Sequence, residues 1–62
     1  MAKQYQIVQS IGGATLSKWP LSHSACEAWF DTHPFHIEDR REVIPQPYGR
    51  VIVKVFVSER AQ

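Results

Sequence analysis

Arg50-Val51-Ile52-Val53-Lys54-Val55-Phe56-Val57 is the stretch that decides how this chain is read. β-branched residues dominate it, and they fit a pleated, extended backbone better than a helix. Side chains on a strand alternate between its two faces. Val51, Val53, Val55 and Val57 therefore share one side, and Ile52, Lys54, Phe56 and Ser58 share the other. Large apolar groups stand on both sides, so each face of the sheet that holds this strand calls for cover.

Just upstream, Pro45-Gln46-Pro47-Tyr48-Gly49 is dense in turn formers and predicts a hairpin. Its other arm is expected as a strand over roughly Arg40 to Ile44. The run from Phe35 to Ile44 is ambiguous on its own. A strand groups Phe35, Ile37 and Val43 with Asp39 and Arg41 between them, whereas a helix groups Ile37, Arg40, Arg41 and Ile44. The hairpin beside it favours the strand.

Earlier still, Ser22 to Thr32 predicts a short helix. Ser24 and Glu27 have the spacing of a capping box, with Ser22 as the alternative cap. Ala25, Cys26, Trp29 and Phe30 form one apolar stripe, and Pro34 stops the helix soon afterwards. About three turns of helix are not stable alone, so the stripe must pack on a sheet.

Gln4 to Ile11 alternates and predicts a strand. Gly12-Gly13 reads as a two-residue hairpin loop, and Ala14 to Trp19 as the return strand, ended by Pro20. That register puts Tyr5, Ile7, Ile11, Ala14 and Leu16 on one face. Gln6, Val8, Ser10, Thr15, Ser17 and Trp19 fall on the other. Met1 to Lys3 and Ser58 to Gln62 are expected as short polar ends. The fold class expected is α+β: a small antiparallel β-sheet in β-β-α-β-β order with one short helix packed on one face.

The whole chain, residues 1–62, is expected as a single small domain. A chain of this size hides only about 60% of the surface its unfolded form exposes, so its core is thin. Seven Lys and Arg against six Asp and Glu leave a net charge of +1, too balanced for binding through bulk charge. One Cys excludes an internal disulfide. No apolar run approaches a membrane span and no basic-then-apolar leader opens the chain, so a cytoplasmic protein without membrane contact is expected.

Few constellations suggest chemistry. His23, Cys26, His33 and His36 have ligand-like spacing for zinc, yet the helical stripe turns Cys26 toward the core, where a thiol acts as a small hydrophobe. The same placement argues against a cysteine nucleophile, which needs an exposed, electropositive setting. Gly12-Gly13 lacks the Gly-Lys-Ser/Thr continuation of a phosphate loop. The mixed-charge run from Glu38 to Glu42 reads as a solvated face or a polar rim, and Arg40 and Arg41 among its acids make it a poor fit for paired-carboxylate acid–base work. No enzyme, cofactor, metal or small-molecule substrate is expected.

One helix covers one face of a sheet. Val8, Trp19, Ile52 and Phe56 are then expected on the uncovered face, and an apolar patch of that kind marks an interface. Trp19, Ile52, Lys54 and Phe56 are the expected anchors, with Arg50, Arg40 and Arg41 as the rim. The expected partner is a larger protein or a second copy of the chain. Nucleic acid stands second: Lys18, Arg50 and Lys54 could flank Trp19, Phe56 and Tyr48 as a platform for single-stranded bases, in a small transcription-regulatory or nucleic-acid-binding protein.

In element order alone, strand–strand–helix–strand–strand resembles small phage-encoded inhibitors of host machinery. More loosely, it resembles the swapped-hairpin transition-state regulators. So small a chain without catalytic equipment is of the kind mobile elements use, so a non-catalytic modulator or inhibitor that occludes a surface of a larger host protein or complex is expected.

Overall fold

A computed structural model of the chain describes residues 3–60. The elements are β1 (Lys3–Gln9), α1 (His23–Thr32), β2 (His36–Pro45) and β3 (Val51–Glu59), with a single 3-10 turn at Pro47–Gly49. They make one three-stranded sheet in the order β1-β3-β2. The class is α+β, but the element order is β-α-β-β rather than β-β-α-β-β. The sheet is mixed rather than antiparallel: β3 pairs with β1 in parallel and with β2 in antiparallel. The likeness in element order to phage inhibitors and swapped-hairpin regulators therefore loses its basis.

The central place of β3 explains its two apolar sides. A strand with neighbours on both edges is the most enclosed part of a sheet. On one face Tyr5, Ile7, Val53, Val55 and Val57 meet Cys26 of α1, with Leu21, Trp29, Phe30 and Val51 packed around them. Ile7, Val55 and Val57 are fully buried. The predicted stripe of α1 is the one that packs. Ser22 caps the helix, its hydroxyl accepting from the Ala25 N–H at 3.1 Å, so the alternative cap is the one used.

Ala14 to Trp19 is not a strand. It returns beside the free edge of β1 through isolated bridges, Val8 to Thr15 and Tyr5 to Leu21. The Ile7 N–H donates to the Ser17 hydroxyl at 3.0 Å while the Leu16 N–H donates to the Ile7 carbonyl at 2.7 Å. A side chain stands in for a backbone acceptor, which interrupts the ladder. The turn is also longer than two residues. Gln9 donates to the Ala14 carbonyl, and Gly13 donates back to the Gln9 carbonyl across Ser10-Ile11-Gly12, with Gly12 and Gly13 at φ 90° and 74°. Ile7 thus faces Leu16 and Ser17 rather than Lys18. Ile11 leaves the core and is 82% exposed, and Ala14 and Leu16 are exposed as well. Val8, expected on an open face, is buried, as is Ser17.

The ambiguous stretch is strand from His36 onward, with a bulge between Glu38 and Arg40. Lys3, Ser58 and Glu59, expected in polar ends, belong to strands, while Met1, Ala2, Ala61 and Gln62 lie outside the described residues. Between β2 and β3, Tyr48 (φ 64°, ψ 31°) and Gly49 (φ 76°) are both left-handed. The Arg50 N–H donates to the Pro47 carbonyl at 3.5 Å. This is the geometry of a type I′ turn, whose twist matches that of a hairpin. Its first central position favours Asn or Gly, and a bulky residue there costs about 1–2 kcal/mol.

Candidate functional site

The sheet face opposite α1 is built in rows that follow from the two registers. Gln4, Ile52 and Ile44 form the first, Gln6, Lys54 and Glu42 the second, and Val8, Phe56 and Arg40 the third. Ile44, Ile52, Lys54 and Phe56 are half-buried. The Arg40 guanidinium lies 3.9 Å from the centroid of the Phe56 ring and donates to Glu42 Oε2 at 2.9 Å. A cation over a ring face is attracted by the ring quadrupole, so Arg40 and Phe56 act as one unit.

At the far end of this face Asp39, displaced by the bulge, accepts from two hydroxyls. Ser10 Oγ donates to Oδ2 at 2.5 Å and Ser58 Oγ donates to Oδ1 at 3.0 Å. One carboxylate thereby ties the chain leaving β1 to β2 and β3. Sequence reasoning grouped Asp39 with the charged run and missed this role; no periodicity marks a bulged residue.

Of the seven residues expected to bind a partner, the structure gathers Arg40, Ile52, Lys54 and Phe56 on this face. Trp19 stands apart in the return segment beside β1, 65% exposed, with Lys18 Nζ 5.2 Å from its ring centroid. Arg50 is exposed at the β2–β3 turn. Arg41 lies on the opposite face: it is paired in register with the core residue Val55 and is held by Glu38 through two bonds, at 2.8 and 3.0 Å. Those bonds hold its guanidinium more firmly protonated than usual. The bulge is the reason Glu38 and Arg41 share a face across an odd spacing.

The four residues with zinc-like spacing do not converge on one point, although the rings of His33 and His36 lie 5.8 Å apart. Cys26 is in the core, and burial pushes its thiol up from the ordinary 9.0. His23 Nδ1 lies 3.0 Å from Glu27 Oε1 on the helix surface. His33 stacks flat on Trp29 at 3.9 Å, and His36 meets the same indole edge-on at 5.2 Å. The Trp29 carbonyl lies 2.8 Å from His33 Nδ1 and only accepts, so that nitrogen carries the proton. His33 and His36 border a recess of about 330 Å³ with Phe35, Glu59 and Arg60. Among the described residues, no three His, Cys, Asp or Glu side chains are placed to share a metal ion. Also among them, no helix is long and apolar enough to cross a membrane. Comparison with protein-family models, curated proteins and solved structures finds no match to this chain.

Proposed function

We propose that this chain is a non-catalytic protein-binding module that modulates a larger protein or complex by covering part of its surface with the sheet face opposite α1. The observation that carries the reading is the half-burial of Ile44, Ile52 and Phe56 on a face from which α1 is absent. Such a face has apolar groups to give up to a partner, and charged groups, Arg40, Glu42 and Lys54, to set its register. Phe56 capped by Arg40 joins an aromatic side chain to an arginine, both residue types enriched at protein interfaces. Trp19 extends the anchor set beyond the sheet.

The same contact argues against nucleic acid. A base stacks on an open ring face, and Arg40 already occupies that of Phe56. The other two aromatics of the imagined platform, Tyr48 at the hairpin tip and Trp19 in the return segment, stand apart from it. A cytoplasmic setting belongs to this proposal as well.

Affinity recovery with the intact chain as bait tests the reading. Substituting Trp19→Ser or Phe56→Ser, with circular dichroism confirming a folded chain, is expected to lower recovery of the bound protein at least about tenfold. Undiminished recovery with both variants would sink it.

A further inference from the structure

Two features at opposite ends of the sheet are left unused by the face just described. At one end the type I′ turn holds Tyr48 97% exposed, with Arg50 exposed beside it. At the other, Gln9, Ile11, Val57, Ser58 and Glu59 line a recess of about 270 Å³. β3 spans nine residues, starting next to the turn and ending in the recess. At about 3.3 Å per residue that separates the two by roughly 30 Å, along a molecule whose longest extent is 43 Å.

We propose that Tyr48 of one copy seats in the Gln9–Ile11–Val57–Ser58–Glu59 recess of a second copy, so that chains associate head to tail. The first support is conformational. A left-handed backbone at an aromatic residue is disfavoured, and a nearly fully exposed Tyr48 has little contact in its own chain to offset it. An observed backbone outlier of this kind points to a role at that residue. The second is fit. The exposed Ile11 side chain gives the recess its apolar wall above the buried Val57, while Gln9, Ser58 and Glu59 bring acceptors for a phenol hydroxyl. The third is charge. Arg50 lies two residues from Tyr48, and Glu59, with its side chain 75% exposed, borders both this recess and the one beside His36, whose Nε2 is 4.0 Å from Glu59 Oε1. Tyr48 and Arg50 would therefore dock as a pair. Knob and recess are different surfaces, so a docked pair keeps one of each free and the contact propagates. A single side chain in a recess buries far less than the roughly 1,200 Å² of a stable interface, so association should be weak and concentration-dependent.

Sedimentation velocity over about 10 µM to 1 mM, the range of weak complexes, tests this. The wild type is expected to sediment faster as concentration rises. Tyr48→Gly and Ile11→Asp change exposed positions and are each expected to stay monomeric. An equimolar mixture of the two restores one intact contact, from the Tyr48 of the Ile11→Asp chain to the recess of the Tyr48→Gly chain. It should yield dimers and nothing larger. Arg50→Glu should weaken association, and mixing it with Glu59→Arg should recover part of it. A wild type that stays monomeric to the top of the range overturns the proposal. So does undiminished association of Tyr48→Gly, or a mixture that stays monomeric while the wild type associates.

Discussion

Cys26 shows how placement sets the chemistry of a single side chain. The helical spacing of Ala25, Cys26, Trp29 and Phe30 already turned it toward the sheet, and the structure packs it among Tyr5, Ile7 and the valines of β3. Burial raises its pKa first; the positive charge of Arg41 opposes this, and Glu38 and Glu27 add to it. The unfolded chain therefore releases this proton before the folded chain does. The contribution to stability is complete below the ordinary 9.0 and is lost as pH rises above it toward the folded value. A thiol reagent at pH 8 should label the native chain more slowly than the urea-unfolded chain. The alkaline fall in urea midpoint above pH 9 should be smaller in Cys26→Ala than in the wild type. Equal labelling rates in the two states would contradict the buried placement. Val8 and Ile11 are the reverse case. Alternation gave each a side, but whether that side is covered depended on where the return segment lies, and no local pattern encodes that.

β2 is the element whose identity the sequence left open. Its charged middle, Glu38 to Glu42, suits neither a helical stripe nor a clean alternation, because a bulge shifts the phase between Glu38 and Arg40. The tertiary partner decides: β3 offers a full edge of backbone donors and acceptors, and the hairpin turn brings β2 alongside. Charges, a bulge and a terminal Pro45 also suit an edge strand, since they discourage pairing with a further chain. The bulge places Asp39 between Ser10 and Ser58. Asp39→Ala removes both acceptors at a solvent-facing site, so a loss of about 1 kcal/mol is expected in urea melts. Asp39→Asn should lose less, because its carbonyl oxygen keeps one of the two bonds. A midpoint unchanged in Asp39→Ala would show that the clamp adds nothing to the sheet.

At the scale of the whole molecule, stability rests on a small set of enclosed residues beneath one helix. Ile7 is fully buried at the centre of that set, so Ile7→Ala is expected to cost about 3 kcal/mol. That is a large part of the total available to a domain this size. Val43 lies on the same sheet face, but 63% exposed toward the edge, and Val43→Ala should stay within about 0.5 kcal/mol. Similar losses for the two, measured by denaturant melts, would mean that the core is not centred on β1 and β3. What the sequence determined by itself was local: the helix and its packed stripe, the turn at Pro45 to Gly49, the apolar alternation of β1 and β3, and four of the seven expected contact residues on one face. Only the tertiary structure decided that β3 is central, that β1 joins it in parallel, and that residues after Gly13 run beside β1 without forming a strand. The physical reason is that side chains carry the periodicity that assigns a residue to a face, whereas strands pair through backbone N–H and C=O groups that are nearly the same in every residue. Which edge meets which is settled when the helix, the hairpin and the buried side chains pack together.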